Sequence, residues 1–82
     1  MWFVYVLSSK KDRQLYIGST EDLDRSMAEH ASGFFDETAD RQPLTCELYI
    51  GLPGKKQAKA VEAYFKTPAG NTMLRKRLMQ QK

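Results

Sequence analysis

A single carboxylate, Glu62, has the sequence surroundings that best suit chemistry. It is the only acid in residues 55–82, a segment that carries eight lysines and arginines. An isolated carboxylate can ligate a hard divalent cation together with water and a bound phosphate. It can equally form a helix-spaced ion pair with Lys59 or Lys66, worth a few tenths of a kcal/mol. The residues alone leave both interpretations open, and the ion pair is the simpler one.

Two tyrosines form the second candidate cluster. Tyr5 and Tyr16 fall on the two arms of a predicted β-hairpin, and a symmetric turn around Lys10 and Lys11 would make them direct cross-strand neighbours. Tyrosine pairs of this kind are most often structural. Gly18 is more unusual, because a glycine at the end of a strand often allows another group to approach closely.

The elements that must position these residues follow from the hydrophobic pattern and the turn signals. Three segments have the composition of strands, namely residues 2–8, 14–18 and 44–52. Three others have helical spacing of apolar residues, namely 21–31, 55–66 and 68 to 77 or 78. Residues 33–43 are predicted as a loop. The order ββαβαα describes one α+β domain over residues 1–82, a small three-stranded antiparallel sheet flanked by three helices.

The helix ends and buried faces are also predicted. Ser19 or Thr20 is the expected N-cap of the first helix, and Thr67 caps the last helix with Pro68 at its first position. The residues expected to face the core are, helix by helix, Leu23, Met27 and Ala28 or Ala31, then Ala58, Val61 and Phe65, then Met73, Leu74 and Leu78.

The composition excludes several classes of protein. The chain has 82 residues, of which 41% are hydrophobic, so it can bury one core. The apolar start of the chain is too short to span a bilayer and lacks the features of a secretory signal. Cys46 is the only cysteine, which excludes an internal disulfide and a cysteine-based zinc site. We therefore expect a soluble cytoplasmic protein that does not associate with membranes.

Charge is distributed unevenly along the chain. Residues 1–54 carry a net charge of −4 and residues 55–82 a net charge of +7. A basic half of this kind suggests a surface that faces a polyanion, although a solvated helical face that aids solubility is the alternative. The candidate nucleic-acid contacts in this half are Lys59, Lys66, Arg75, Lys76 and Arg77.

Several segments, taken in order, resemble a known nuclease family. Phe3-Val4-Tyr5 and Tyr16-Ile17-Gly18 resemble the two signature elements of the GIY-YIG nuclease superfamily. The helix after Gly18 and the segments 43–44, 62–66 and 75–77 resemble the small stand-alone bacterial members related to the UvrC N-terminal domain. The resemblance covers essentially the whole chain. It implies metal-dependent cleavage of phosphodiester bonds, with Mg²⁺ or Mn²⁺ as cofactor and DNA as the expected partner of a monomer.

The resemblance also implies roles for individual residues. In the family, the tyrosine that matches Tyr5 acts as the general base or positions it, the one that matches Tyr16 helps to orient the attacking water, and the glutamate that matches Glu62 binds one divalent cation. A free phenol has a pKa of about 10, and lowering it by about three units needs roughly 4 kcal/mol, much of which a nearby cation can supply. His30 matches a family histidine that can contact a phosphate or aid proton transfer. A helix-end histidine satisfied by a carbonyl is the alternative.

Two positions depart from the family pattern. Ser26 occupies the place of an arginine that stabilises charge on the scissile phosphate, and the loss of one such contact typically costs about 10²–10³ in rate. Arg25 is the adjacent cation, but one residue is about 100° around a helix, so we expect it to point elsewhere. Asn71 replaces a phosphate-contacting residue of the turn in which Gly70 is kept. The sequence therefore predicts a metal-dependent endonuclease, with a cleavage-impaired nucleic-acid-binding module as the alternative.

Overall fold

The chain folds as a three-stranded antiparallel sheet with helices packed on both faces. The computed structural model describes residues 1–79, apart from the side chains of residues 36 and 37, so Lys82 of the basic half lies outside the described residues. The strands are β1 (Trp2–Ser9), β2 (Leu15–Thr20) and β3 (Leu44–Leu52), in the sheet order β2-β1-β3. The helices are α1 (Leu23–Ala31), α2 (Asp36–Ala39), α3 (Lys55–Phe65) and α4 (Pro68–Met73), which continues as a π-helical turn (Leu74–Leu78).

The predicted fold class is confirmed, with one addition. The α+β class, the antiparallel sheet and the predicted order of strands and helices all hold. The addition is α2, a single turn of helix inside the segment 33–43 that was predicted as a loop. No helix of the described residues is long and apolar enough to cross a membrane.

The central strand β1 is buried on both faces, which explains its continuous apolar sequence. Val4 and Val6 are fully buried against a core that includes residues of α3 and α4. Tyr5 and Leu7 point to the opposite face and are 4% and 2% exposed. The hydrophobic core therefore lies between the sheet and α3–α4, and the tyrosine face is covered separately.

The hairpin register differs from the prediction. The pairing of β1 with β2 places Tyr5 opposite Gly18 and Leu7 opposite Tyr16. The two tyrosines share a face, as expected, but they are diagonal neighbours and not direct cross-strand partners. Because a direct pair would require a turn centred one residue earlier, the physical cause lies in the turn itself.

Ser9 fixes the hairpin turn. Its hydroxyl accepts hydrogen bonds from the backbone N–H groups of Lys11 (3.1 Å) and Asp12 (3.4 Å), and it donates to the carbonyl of Arg41 at 2.6 Å. Arg13 completes the turn in a left-handed conformation with φ 62°. Since Ser9 still belongs to β1, the reversal of the chain comes later than the predicted centre at Lys11.

The first helix begins later than predicted. Asp22 is its N-cap, and its Oδ1 accepts a hydrogen bond from the backbone N–H of Arg25 at 3.1 Å. Ser19 and Thr20 do not cap the helix because β2 continues through both of them. An aspartate is as good a cap as serine, so the sequence signal was shared among Ser19, Thr20 and Asp22.

The buried face of α1 is polar, which corrects the predicted apolar face. Ser26 and His30 are 7% and 2% exposed, whereas Ala28 and Ala31 are exposed. Ser26 and His30 are four residues apart and thus lie one above the other. This face is turned toward the tyrosine-bearing side of the sheet, where hydroxyl groups need polar partners.

The C-terminal helix has the predicted length, but one of its predicted core-facing residues differs. Leu74 is fully buried as predicted, but Leu78 is 48% exposed, so its predicted core position is wrong. The backbone N–H of Met79 donates to the carbonyl of Leu74 at 3.0 Å, which is a π-helical bond. The wider winding rotates Leu78 outward and brings Met79 against the core.

Candidate active site

An open groove of about 520 Å³ lies along the outer edge of β2. One of its walls is the tyrosine-bearing face of the sheet with α1, and the other is α3. The predicted site residues that line it are Tyr5, Tyr16, Gly18, Arg25, Ser26 and Glu62. The fold therefore brings together, around one edge strand, residues from both ends of the chain.

Gly18 is required because the Tyr5 side chain lies directly over it. A Cβ atom at position 18 would be 2.6 Å from the Tyr5 Oη and 2.7 Å from its Cζ. The close approach expected at this glycine is thus made by a residue of the chain itself. The Tyr5 and Tyr16 rings are neighbours, with their centroids 6.3 Å apart. The glycine thus leaves space for the Tyr5 ring, and Tyr5 lines the groove.

The Tyr5 hydroxyl belongs to a buried hydrogen-bonded chain. It lies 2.9 Å from Nε2 of His30, and Nδ1 of His30 lies 2.8 Å from Oγ1 of Thr38. His30 and Thr38 are 2% and 0% exposed, so each needs these partners. If Nδ1–H donates to Thr38, then Nε2 can accept the hydrogen of the Tyr5 hydroxyl. The His30 ring is thus hydrogen-bonded to a tyrosine and a threonine.

Thr38 is the site residue that the sequence prediction missed. It lies on α2, whose backbone N-cap is Phe35, and Phe35 packs on the His30 ring with centroids 4.4 Å apart. Two acids, Asp36 and Glu37, follow Phe35 in the sequence, and acids in a first turn are a helix-start signal. That signal could have predicted the helix, but not the contact of Thr38 with His30, which depends on the tertiary fold.

Glu62 is largely buried and has three polar partners. Its side chain is 15% exposed, and its carboxylate accepts hydrogen bonds from Ser19 Oγ at 2.6 Å and Lys66 Nζ at 2.8 Å. Lys59 Nζ lies 3.5 Å away. Burial raises the pKa of Glu62, but the hydrogen bonds from Lys66 and Ser19 and the two lysine charges outweigh it, so the pKa lies below its ordinary value of 4.5. Glu62 is therefore a carboxylate held in its ionised form.

The donor atoms around Glu62 suit a hard cation. The described part of the chain contains no group of three or more His, Cys, Asp and Glu side chains placed to hold a metal ion. A single carboxylate with the Ser19 hydroxyl beside it is an oxygen-only donor set. Mg²⁺ and Mn²⁺ accept such sets, because they keep several waters and take further ligands from a substrate phosphate. The residues present thus fit a cation of this class.

The groove has an acidic wall and a basic wall. Three acids line the α1 side, namely Glu21 and Asp22 before the helix and Glu29 near its end, where Glu29 pairs with Arg25. On the opposite wall, α3 contributes Lys55 and Lys59. The Lys55 Nζ also lies 5.7 Å from the ring centroid of Trp2, which lines the same groove. An elongated anion in the groove is therefore attracted to the α3 side.

Comparison with known proteins places the chain in a family. A family model described as the GIY-YIG catalytic domain matches residues 1–76. The chain belongs to the GIY-YIG family. It is also similar to the solution NMR structure of the UPF0213 protein BH0048 from Bacillus halodurans, at 30% sequence identity and a TM-score of 0.61, over 96% of this chain and 87% of that chain. No curated protein matches it.

Family membership confirms the resemblance predicted from the sequence. GIY-YIG domains are nuclease domains, so nucleic acid is the substrate class that the family implies. The similar protein from Bacillus halodurans also shares the fold across nearly the whole chain. Tyr5, Tyr16, Gly18 and Glu62 therefore face one groove within a GIY-YIG domain.

Position 26 of this GIY-YIG domain carries no charge. Ser26 lines the groove and is 7% exposed. Arg25 also lines the groove, although its side chain points away from the wall that Ser26 occupies and lies at the rim. There its Nε donates to Glu29 at 3.3 Å, and the Arg25 side chain stays 75% exposed. Arg25 thus offers a cation at the rim and not on the inner wall that Ser26 occupies.

The predicted nucleic-acid contacts of the GIY-YIG domain fall into three groups. Lys59 and Lys66 are bound to Glu62 beside the groove. The side chain of Asn71 is engaged within the fold, since it donates to the carbonyl of Phe65 at 3.4 Å and accepts from Arg75 Nε at 3.0 Å. The remaining residues lie on the C-terminal turn, away from the groove: Arg75, Lys76 and Arg77.

Proposed function

We propose that this GIY-YIG domain is a divalent-metal-dependent endonuclease that hydrolyses phosphodiester bonds in DNA. The observation that supports it most directly is Tyr5, a residue that lines the groove of Glu62 and whose hydroxyl lies 2.9 Å from His30 Nε2. A phenol that can pass its proton to an imidazole can act as a base without first becoming a free phenolate. The same groove contains an ionised carboxylate.

In the proposed reaction, water attacks the scissile phosphorus and the bond to the leaving oxygen breaks. Tyr5 takes the proton of the attacking water as its own proton moves to Nε2 of His30, and Thr38 holds the imidazole in the required tautomer. Tyr16, next to Tyr5 on the same face, orients the water. The buried chain of hydrogen bonds keeps these groups in place before substrate arrives.

Glu62 is the proposed ligand of the cation, with the Ser19 hydroxyl beside it. A bound Mg²⁺ or Mn²⁺ neutralises charge on the phosphate oxygens and favours deprotonation of the groups around it. Lys59 and Lys66 bind Glu62 in the structure, and both side chains are more than half exposed. With a cation held at Glu62, both lysines would be available to contact phosphate oxygens.

Cleavage of branched, nicked and single-stranded DNA tests the proposal. Purified protein should cut at least one of these substrates in the presence of Mg²⁺ or Mn²⁺, and not in EDTA. The Glu62→Gln and Tyr5→Phe variants should each lose that activity, because each keeps the shape of the side chain and removes its chemistry. Asp24→Asn is the matched control, since Asp24 is an exposed carboxylate of α1 that does not line the groove. Cutting that survives Glu62→Gln would refute the metal-dependent mechanism.

A second function is favoured by Ser26, which leaves the inner wall of the groove without the expected cation. In that case the domain binds nucleic acid through its basic residues but cuts poorly. Salt-sensitive DNA binding without metal-dependent cleavage would support this alternative. For either function we propose a monomeric cytoplasmic protein, and sedimentation at the mass of one chain would support the monomer.

A further inference from the structure

A second groove lies on the other side of the hairpin from the candidate active site. It has a volume of about 1030 Å³ and is open to solvent between the hairpin turn and the C-terminal turn. The hairpin contributes Lys10 and Arg13, and the C-terminal turn contributes Arg75 and Lys76. Two segments from opposite ends of the sequence thus supply the cations of one concave surface.

The charges in this groove are only weakly compensated. Its lining contains one acid, Glu47, which accepts a hydrogen bond from Ser8 Oγ at 2.5 Å. Among the described residues, the ion pairs do not include any of the four cations of the groove. Four cations that face one space repel each other, and this repulsion is relieved when an anion enters.

The hairpin cations distinguish this groove from the basic end of an ordinary helix. Arg75 and Lys76 belong to the last turn of a helix, where basic residues are favourable even without a ligand. Lys10 and Arg13 have no such reason to be there. The left-handed conformation of Arg13 belongs to the hairpin turn and does not itself require a ligand. The observation that points to an anion is that cations of the hairpin turn and of the C-terminal turn line one groove.

We propose that this groove binds the phosphates of a nucleic-acid strand, outside the bond that is cleaved. The inference goes beyond the proposed cleavage, because it concerns binding without metal. Leu15 lines this groove and Gly18 lines the active site, three residues apart along β2, or about 10 Å at the rise of a strand. The path of a nucleic-acid strand between the two grooves is longer than this spacing, because they lie on different sides of the hairpin. At the axial rise of about 3.4 Å per nucleotide, a strand that continues from the active site around β2 therefore needs more than about three nucleotides to reach this groove.

Salt dependence of DNA binding tests the proposal. The variant Lys10→Gln with Arg13→Asn removes both hairpin cations, and asparagine tolerates the left-handed conformation of position 13. The matched control, Lys11→Gln with Lys56→Gln, loses the same charge at residues that do not line the groove. Binding of a labelled DNA duplex is measured by fluorescence anisotropy in EDTA over a series of salt concentrations. The slope of log affinity against log salt should become shallower by about 2 in the groove variant, and remain near the native value in the control.

The same slope in both double variants would overturn the proposal, as would the absence of any duplex binding by the native protein. Amide chemical shifts of Lys10, Arg13, Arg75 and Lys76 distinguish a strand from free phosphate. Shifts with the duplex but not with inorganic phosphate at the same phosphate concentration support a strand site. Equal shifts with inorganic phosphate would overturn it in favour of a small-anion site. Because no cleavage is measured, a failure here differs from a failure of the proposed nuclease, which Glu62→Gln reports.

Discussion

Ser26 is the residue at which the groove differs most from a complete phosphate-binding surface. It lines the groove on the α1 side and is 7% exposed. Neutral serine cannot form the two-pronged contact with phosphate oxygens that a guanidinium forms. Arg25, at the rim, is already paired with Glu29. The inner wall of the groove therefore lacks the cationic side chain that was expected at position 26.

We expect Ser26→Arg to raise the rate of metal-dependent cleavage by about 10²–10³, because it restores one charge contact in the transition state. Ser32→Arg is the matched control. Ser32 is an exposed residue just after the same helix, so an arginine there adds the same charge outside the groove. The rates at which the two variants cleave one defined DNA substrate are then compared. An equal rate in both would show that position 26 has no role in charge stabilisation.

Gly18 offers a test of how firmly Tyr5 is held. We expect Gly18→Ala to displace the Tyr5 ring, because the new Cβ would lie 2.6 Å from its hydroxyl oxygen. Cleavage should be lost and the free energy of unfolding should fall by about 1–3 kcal/mol, as for other overpacked sites. Gly51→Ala is the comparison, since the close contact of its Cβ, at 2.8 Å, is with the flexible Sδ of Met1, and Phe3 Cε1 at 3.5 Å is at an ordinary contact distance. Urea unfolding and the cleavage assay measure both effects, and similar losses for the two variants would contradict this account.

Single residues were predicted unequally well from the sequence. Tyr5, Tyr16 and Gly18 follow from motif and strand alternation, and the structure does place them on one face. Their register did not follow, because it depends on the side chain of Ser9 in the turn. Thr38 could not be found either, since a buried polar partner is a property of two packed helices and not of local sequence.

At the scale of elements, α2 acts mainly through Thr38. We expect Thr38→Val to keep the shape of the helix but to leave His30 Nδ1 without its threonine partner, at a cost of about 1–3 kcal/mol in the free energy of unfolding. The pH dependence of cleavage should also shift, because the tautomer of His30 is no longer fixed. Thr45→Val, at an exposed position of β3, is the control. A large loss of stability without any change in the pH profile would assign Thr38 a purely structural role.

The partners of Glu62 on α3 and β2 give a prediction for pH. Because the pKa of Glu62 is lowered in the fold, its contacts stabilise the protein above the ordinary value of 4.5 and are lost as the pH falls through the lowered pKa. Removing a partner should move that pKa upward. We therefore expect Lys66→Gln to raise the midpoint of the Glu62 carboxyl resonance in an NMR titration, and Lys56→Gln to leave it in place. A midpoint that is unchanged by Lys66→Gln would contradict the contact at 2.8 Å.

It was easier to predict which segments form helices and strands than to predict which side of each helix faces the core. The three strands and the long helices lie where the apolar pattern put them. The predicted core-facing residues were wrong in two helices, each for a physical reason. The inner face of α1 is polar because it serves the site and not the core, and Leu78 is exposed because π-helical winding rotates it outward. Both errors fall where an element departs from the rule that apolar residues face inward at the α-helical period.

At the scale of the whole molecule, the acidic and basic halves of the sequence do not form separate acidic and basic surfaces in the folded protein. Residues 1–54 are acidic in sum, yet Lys10 and Arg13 of that half meet Arg75 and Lys76 of the basic half in one groove. Acids from the first half likewise face lysines of α3 across the active-site groove. The sequence thus predicted a polyanion-binding surface, but only the fold separates it into two grooves around one hairpin.

Trp2 gives the domain an optical property that needs no label. It is the only tryptophan in the chain, it lines the active-site groove, and Lys55 Nζ lies 5.7 Å from its ring centroid. A phosphate that draws Lys55 away, or a base that stacks on the indole, alters the polarity around the ring. Its ultraviolet emission should therefore change on occupancy of the groove, for substrates that are cut and for those that are only held.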